Sequence, residues 1–371
     1  MARTEGSSHF GSHVSREALT GARKPIELTS GYLPFTEPSL IKIATAEAIL
    51  DRDVLQTSGK GLLALREAAA EKFEVDYNMT YDSEHVLVTN GSSGALRVVL
   101  SRFNGLYDES EQRKPKLWTP EVGYDYRKIA RTSGVSDVGR YPLIDGVPDV
   151  DRIYDLFQET DGPNIFLINS PANPTGKVIP EGVMEQLAEV FAEDDIAVED
   201  NVFAGATYDG VKHASIAPYL RDNTIVIDST SKQGANYQVG WLMAPERFYD
   251  GLLDIREATG GVFTAAQYGA ARMLKSPEYL KWVQAEMQRK RDLMHEQLTK
   301  IPQFEDISKP EGGFFYFLPG LPDPEYLKNE FGVAISSGKK YGLEDHSRIS
   351  FAAEDEDIIG GVACIARALS S

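Results

Sequence analysis

The chain has 371 residues, of which 42% are hydrophobic, and its 56 acidic and 38 basic residues give a net charge of −18. This composition permits a packed core and argues against global disorder, while the charge disfavours nucleic acid and anionic membranes as partners. With Cys364 as the single cysteine, neither an internal disulfide nor a cysteine zinc site is possible, and we expect a cytoplasmic protein. The sequence predicts no secretory signal, no membrane span and no metal site.

The first 228 residues are predicted to contain a tail, two helices and then a series of alternating strands and helices. Residues 1–25 are predicted to be a flexible tail, and helices are predicted at Ser39–Leu50 and Gly61–Phe73. Further on, strands alternate with helices. The predicted strands are His85–Thr89, Lys116–Thr119, Asn164–Asn169, Ile196–Glu199 and Thr224–Asp228, and the helices between them are Ala95–Leu106, Tyr126–Thr132 and Gly182–Glu193. This alternation predicts an α/β fold, with a mostly parallel sheet covered by helices.

The pattern changes after Pro245. Three predicted helices are followed by two strands and a terminal helix, namely Phe248–Ala258, Phe263–Leu274, Pro277–Leu298, Gly312–Leu318, Arg348–Ala352 and a last helix from about Asp355. These elements predict a smaller α+β domain. We therefore divide the chain into a tail (1–25), a segment joining the small domain (26–50), a large domain (51–255), and linking helices with the small domain (256–371).

A lysine follows the last strand of the alternating region. The apolar run Thr224–Asp228 continues into Ser229-Thr230-Ser231-Lys232, which would bring an amine to the carboxyl edge of the sheet, where open α/β folds bind ligands. A lysine in a dry pocket loses its proton easily and can form a Schiff base with a carbonyl compound. The alternative is a solvated surface lysine, and the matching residues elsewhere favour the chemical interpretation.

Small and aromatic residues follow two other predicted strands. Gly91, Ser92 and Ser93 open a helix, where free backbone N–H groups and hydroxyls form an anion site. Tyr124 enters the same sheet edge and could stack on a flat ring. The alternatives are an ordinary helix cap and a half-buried packing tyrosine.

Three polar side chains complete the set. The turn Asn173-Pro174-Thr175-Gly176 can hold the Asn173 amide rigidly, and Asp200 could keep a heterocyclic nitrogen protonated. Arg348 carries a fork that matches a carboxylate. The alternatives are a turn without a ligand, a capping aspartate and a surface ion pair.

The order and spacing of these segments resemble the class I/II aminotransferases, which are fold-type I pyridoxal 5'-phosphate enzymes. The resemblance extends from Ile26 to Leu369. Its most specific parts are Ser229-Thr230-Ser231-Lys232 and Asn173-Pro174-Thr175-Gly176.

The resemblance implies a role for each residue. Lys232 would bind the cofactor as an internal aldimine and shuttle the α-proton of an amino acid substrate. Asp200 would pair with the pyridine nitrogen, Asn173 with the phenolic oxygen of the ring, and Tyr124 would stack on the ring. Arg348 would hold the α-carboxylate of the substrate.

The remaining residues would line the rest of the site. The cofactor-binding set would include Gly91, Ser92, Ser93, Phe203, Ser229, Ser231 and Gln238, with the serines on the phosphate. Gly31 and Tyr32 would line the substrate pocket, together with Asn173. Members of the family are usually homodimers with active sites at the subunit interface.

Three positions depart from the family pattern. Phe203 and Gln56 stand where relatives commonly have tyrosines, and Gln238 stands where relatives usually have a phosphate-binding arginine. Losing a guanidinium removes a charge-assisted contact, so we expect weaker cofactor retention than in an arginine-bearing relative.

These observations support three functional hypotheses. The first is a pyridoxal 5'-phosphate enzyme acting on an α-amino acid, most simply an aminotransferase. The alternative, motivated by the three departures, is a lyase, cyclase, replacement or carbon–carbon bond-forming enzyme of specialised metabolism. A non-catalytic cofactor-binding regulatory module is disfavoured by the acidic charge and by Arg348.

Overall fold

The computed structural model describes residues 25–34, 40–51, 57–105, 114–234 and 237–371. Its strands are β1 (Ile26–Glu27), β2 (Val86–Asn90), β3 (Lys116–Pro120), β4 (Val138–Tyr141), β5 (Leu143–Ile144), β6 (Val147–Pro148), β7 (Asn164–Asn169), β8 (Ile196–Asp200), β9 (Thr224–Ser229), β10 (Val239–Met243), β11 (Phe315–Pro319), β12 (Val333–Ala334), β13 (Ser336–Ser337) and β14 (His346–Ser350). Its α-helices are Leu40–Asp51, Leu63–Tyr77, Gly91–Gly105, Arg127–Thr132, Val150–Gln158, Glu181–Ala188, Glu246–Ala258, Thr264–Leu274, Pro277–Leu298, Pro324–Phe331 and Asp355–Ser370.

The main sheet has seven strands in the order β2-β10-β9-β8-β7-β3-β4. The pairs from β9 to β4 are parallel, whereas β10 runs antiparallel to both β9 and β2. Strands β7, β8 and β9 are buried at every position, as expected for strands covered on both faces. The predicted α/β fold with a mostly parallel sheet is therefore confirmed.

Alternation along the strands places the core on both faces of this sheet. In β7, Ile165 and Leu167 pack into one hydrophobic cluster, while Phe166 and Ile168 pack into another on the opposite face. The carboxyl ends of β7, β8 and β9 consequently lie side by side, which brings Asn169, Asp200 and Ser229 to one edge.

The C-terminal part of the chain contains a second, three-stranded sheet in the order β11-β14-β13. The long Pro277–Leu298 helix packs against the terminal Asp355–Ser370 helix beside it. Strand β1 pairs in parallel with β12, so the start of the described chain lies against its C-terminal part. The residue boundaries proposed above for the domains stay a prediction.

Several predicted elements differ from the structure at their ends. The helix predicted from Ala95 begins at Gly91, because Gly91 adopts a φ of +66° and turns the chain directly out of β2. The helix predicted over Gly182–Glu193 ends at Ala188, where the N–H groups of Glu189 and Val190 bond carbonyls three residues back. Within the described ranges, no helix combines the length and the apolar character needed to cross a bilayer.

Candidate active site

The predicted site residues surround one cavity of about 290 Å³ at the carboxyl edge of the main sheet. Its lining includes Gly31, Tyr32, Gly91, Ser92, Ser93, Tyr124, Asn173, Asp200, Phe203, Ser229, Ser231, Lys232, Gln238 and Arg348. Gln56 lies outside the described residues. The structure thus brings together every described residue that the sequence proposed for the site.

Lys232 reaches this cavity from a short 3₁₀ turn, Thr230–Lys232, that directly follows β9. Its Nζ lies 4.1 Å from the centre of the Tyr32 ring and 5.5 Å from that of Phe203. Burial lowers the pKa of Lys232 to about 8, against the opposing charge of Asp200. About a tenth of the amine is therefore neutral at pH 7, far more than in an ordinary lysine.

Asp200 ends β8 and presents its carboxylate to the same cavity. Its Oδ2 accepts a hydrogen bond of 3.0 Å from the Tyr126 hydroxyl, whereas Oδ1 is buried and has no partner within the described structure. Burial raises the pKa of Asp200 to about 6, while the Tyr126 hydrogen bond and the charge of Lys232 act in the opposite direction. A buried carboxylate oxygen without a partner is costly, and it suits a cationic or N–H-bearing ligand.

A chain of amide hydrogen bonds connects Asp200 with Arg348. The Asn169 side chain donates to the backbone oxygen of Asp200 at 3.0 Å and accepts from the Asn173 N–H at 3.0 Å. Arg348 Nη1 then donates to Asn173 Oδ1 at 2.8 Å, and Nη2 donates to the Thr29 carbonyl at 2.8 Å. The guanidinium is consequently fixed in orientation before any ligand arrives.

The aromatic ring of Phe315 packs against this arginine. The guanidinium carbon lies 3.8 Å from the ring centre, and Arg348 Nε is buried without a partner in the described chain. Burial lowers the pKa of Arg348, but from a starting value so high that the group stays charged. Arg348 is therefore a buried cation with hydrogen-bonding capacity to spare.

Another part of the cavity lining offers backbone and hydroxyl donors. The Gly91–Gly105 helix begins there, with free N–H groups in its first turn, and β10 approaches it so closely that a Cβ on Gly240 would lie 2.5 Å from the Gly91 carbonyl carbon. Ser229 Oγ and Ser231 Oγ lie 2.8 Å apart beside it. Gln238 adopts a φ of +57°, an unusual conformation for a residue with a side chain.

The structure also adds residues that the sequence did not predict for the site. Tyr126 and Asn169 hold Asp200, and Phe315 supports Arg348. Asn169 ends a strand whose position was predicted, so its place at the sheet edge could have been inferred. Tyr126 carries no such signal, because it lies near Tyr124 in an ordinary polar segment.

The donors around the cavity fit pyridoxal 5'-phosphate. The helix start and the serine hydroxyls suit a phosphate, and the unpartnered Asp200 Oδ1 suits a protonated ring nitrogen. Lys232 supplies an amine with a lowered pKa for an imine bond. Arg348 suits the carboxylate of an amino acid.

Known proteins resemble this chain over nearly its whole length. The aspartate/prephenate aminotransferase of Thermus thermophilus is 26% identical over 96% of this chain and 94% of its own length, and the aspartate aminotransferase of Pyrococcus abyssi is 30% identical over 92% and 91%. The fold matches Thermus thermophilus aspartate aminotransferase with maleate at a TM-score of 0.82 and 24% identity, covering 93% of this chain and 92% of that one.

A further structural match is the N-succinyldiaminopimelate aminotransferase of Mycobacterium tuberculosis, with a TM-score of 0.83, 20% identity, and coverage of 92% of this chain and 93% of that one. The sequence model described as aminotransferase class I and II matches residues 23–361. The chain is therefore a member of the class I and II aminotransferase family and a pyridoxal 5'-phosphate-dependent enzyme.

Proposed function

We propose that this enzyme transfers the amino group of an α-amino acid to a 2-oxo acid, with the cofactor bound at Lys232. One observation carries the proposal: the amine of Lys232, the unpartnered Asp200 Oδ1 and the buried guanidinium of Arg348 face a single cavity. These are the groups needed to bind the cofactor's aldehyde, its ring nitrogen and the substrate carboxylate.

When bound, the cofactor withdraws electrons from the substrate α-carbon and so acidifies its proton. Asp200, as a buried anion, favours the protonated ring nitrogen that makes this withdrawal strong. Lys232 would accept the α-proton at Nζ and deliver it to the carbon of the cofactor's aldehyde group, which leaves the amine neutral again, a task suited to an amine whose pKa is about 8. Tyr124, which is 45% exposed, would cover one face of the ring.

Arg348 would orient the substrate. Its hydrogen bonds to Asn173 and to the Thr29 carbonyl fix the guanidinium plane, and Nε is available. A fixed, desolvated fork loses little conformational freedom on binding a carboxylate, so it places the α-carbon reproducibly beside Lys232.

The phosphate of the cofactor would be bound by the start of the Gly91–Gly105 helix and by Ser92, Ser93, Ser229 and Ser231. Gln238 lies at the same cavity but contributes no charge. Neutral donors form weaker contacts with phosphate than a guanidinium does, which supports weaker cofactor retention than in arginine-bearing relatives.

The cavity lining favours a substrate with an apolar or aromatic side chain. Among the described lining residues, only Lys232 and Arg348 are cationic, and both already have roles. Tyr32, Phe203 and Phe315 supply apolar surface. Two relatives named above are described as aspartate/prephenate and aspartate aminotransferases, so a preference for apolar or aromatic amino acid donors would distinguish this enzyme from them.

We also infer that the enzyme is a cytoplasmic homodimer. The Leu40–Asp51 helix exposes Ile43, Ile49 and Leu50, the last by 82%, and such apolar side chains on one helix suit a subunit interface. The location rests on the single cysteine of the chain. Analytical ultracentrifugation of the wild type and of a variant with Ile49→Glu and Leu50→Glu would test the dimer, because charges at the interface should yield monomers.

The decisive experiment compares wild type with Lys232→Ala. We expect the wild type, loaded with cofactor, to transfer amino groups from phenylalanine or leucine to 2-oxoglutarate or pyruvate, and the variant to lose at least a thousandfold in kcat/KM. The exposed Lys328→Ala serves as the matched control and should keep full activity. If Lys232→Ala retains the yellow chromophore unchanged after dialysis, the proposal is wrong.

A second candidate, elimination or replacement at the substrate side chain, is favoured by Phe203. Its ring is buried against Phe314 and Phe315, at centre distances of 5.2 and 5.8 Å, and it offers no hydroxyl to the cofactor. The two functions differ in their need for an oxo acid. Release of ammonia from amino acids without any oxo acid would favour elimination, whereas turnover that requires one would exclude it.

A further inference from the structure

A second, larger cavity adjoins the candidate active site. It has a volume of about 950 Å³ and shares only Lys232 with the first cavity. Residues adjacent in the sequence line different cavities: Phe203 and Phe315 line the first, whereas their neighbours Ala204 and Phe314 line the second. We propose that this second cavity binds a separate small molecule, an amphiphilic carboxylate with an apolar body and a hydroxyl or amide donor.

The size and the walls of the cavity suit such a body. Its lining includes small residues and larger apolar ones, namely Ala68, Ala204, Gly205, Ala206, Leu280, Val283, Met287 and Phe314. A Cβ added to Gly205 would contact the Gln233 side chain at an ordinary 3.6 Å, so a side chain at this position would start without a clash beside Gln233. The volume falls within the range of about 300–1,000 Å³ that is typical of ligand pockets.

Positive charge accumulates at the same cavity. Besides Lys232, four lysines line it, of which Lys72 pairs with Asp76 and Lys275 pairs with Glu71 at 3.7 Å. Lys212 and Lys281 are exposed and have no ion-pair partner in the described ranges. In a protein with a net charge of −18, two unpaired lysines beside an apolar cavity favour an anionic group on the ligand.

A buried amide provides an independent indication of a ligand. Gln233 lines the cavity and is only 4% exposed. Its Nε2 lies 3.4 Å from each carboxylate oxygen of Asp228, while its Oε1 has no partner in the described structure. Buried acceptors are rarely left unsatisfied, so Oε1 calls for a donor such as a ligand hydroxyl or amide.

Isothermal titration calorimetry of the cofactor-loaded enzyme tests the proposal with 10-hydroxydecanoate as the probe. We expect one binding site per subunit, and binding at least tenfold weaker for decyltrimethylammonium, which has the opposite charge. The double variant Lys212→Glu with Lys281→Glu should weaken 10-hydroxydecanoate binding at least tenfold, whereas the surface control Lys328→Glu should stay within twofold of wild type.

Filling the cavity gives a second, independent result. Gly205→Leu should abolish binding of 10-hydroxydecanoate while the absorbance of the bound cofactor and the circular dichroism stay as in wild type. The double lysine variant changes only exposed side chains and does not alter packing in the cavity. Its binding result therefore tests the proposal even if Gly205→Leu misfolds. Absence of binding by wild type, equal binding of the cation, or undiminished binding by the lysine variant would each overturn the proposal.

Discussion

The Tyr126 hydroxyl donates a hydrogen bond of 3.0 Å to Asp200 Oδ2, whereas the buried Oδ1 has no hydrogen-bond partner in the described structure. Tyr126 is itself buried, and its ring meets that of Tyr124 edge to face, with ring centres 5.0 Å apart. The tyrosine thus both orients the carboxylate and favours its ionised form, which burial opposes.

Replacing Tyr126 with Phe should impair the enzyme and shift its pH profile. Without the hydroxyl, the pKa of Asp200 rises above about 6, so less carboxylate is ionised at a given pH. We expect kcat/KM at pH 7 to fall about tenfold, corresponding to ~1.4 kcal/mol, and the acidic limb to move to higher pH. The control is Tyr141→Phe, whose hydroxyl bonds the Leu167 carbonyl at 3.0 Å away from the cavity. An unshifted acidic limb in Tyr126→Phe would count against this role.

Replacing Asp228 with Asn should stabilise the protein at alkaline pH. Burial raises the pKa of Asp228 to about 7, above its unfolded value, so the folded state loses stability progressively as the pH rises from the unfolded pKa to the folded one. The destabilisation is complete above about pH 7 and absent at pH values well below 4. Asn keeps the oxygen that accepts from the Ser229 N–H.

Urea unfolding at pH 8 and pH 5 measures the effect of Asp228→Asn. We expect a gain at pH 8 of a few kcal/mol, on the order of 4 at most, and a clearly smaller gain at pH 5. The exposed Asp250→Asn is the matched control and should change stability little at either pH. A gain of equal size at both pH values would show that ionisation of Asp228 is not the cause.

Replacing Arg348 with Lys should weaken substrate binding and leave the cofactor in place. A single ammonium cannot bond Asn173, the Thr29 carbonyl and a carboxylate with the geometry of the guanidinium fork. We expect kcat/KM to fall about 100-fold, ~3 kcal/mol, mainly through KM. The cofactor dissociation constant should change less than threefold, and Arg127→Lys at the surface should behave as wild type. If the affinity for the cofactor fell as much as kcat/KM, the assignment of Arg348 to substrate binding would be wrong.

Replacing Gln238 with Arg should tighten cofactor binding. Both side chains must accept the left-handed backbone at this position, so the substitution adds a charge without a new conformational penalty. We expect the cofactor dissociation constant to fall about tenfold, ~1.4 kcal/mol, in fluorescence titrations of the apoenzyme. Gln238→Met, which adds no charge, should not tighten binding. If the arginine variant binds the cofactor no better, the phosphate does not lie beside residue 238.

Much of the fold could be predicted because hydrophobic patterns in long or buried elements are strong. The strand Asn164–Asn169 and the helix Pro277–Leu298 have the predicted bounds. Strand β10 was not predicted, because it follows the lysine segment without an intervening helix and pairs antiparallel with its neighbours. Its position depends on long-range pairing with β2, which no local pattern reveals.

The site was predictable where chemistry coincides with strand ends, as for Asp200 and Lys232. Tyr126 was missed because its hydrogen bond to Asp200 joins residues far apart in the chain. The cavity beside Gly205 was missed for a similar reason, since it depends on small side chains on two segments that are far apart in the sequence, at Ala68 and at Ala204–Ala206. Such features arise from packing between elements and leave no periodic trace in the sequence.

The start of the described chain contributes to the active site. Ile26 and Leu28 donate to carbonyls of Gly332 and Ala334, and three residues later a Cβ on Gly31 would lie 3.6 Å from Lys232 Nζ. The Thr29 carbonyl, between these two contacts, accepts from Arg348. The segment of residues 26–31 therefore sets the distance between Arg348 and Lys232. A one-residue deletion in this segment would alter the spacing at which an amino acid is recognised.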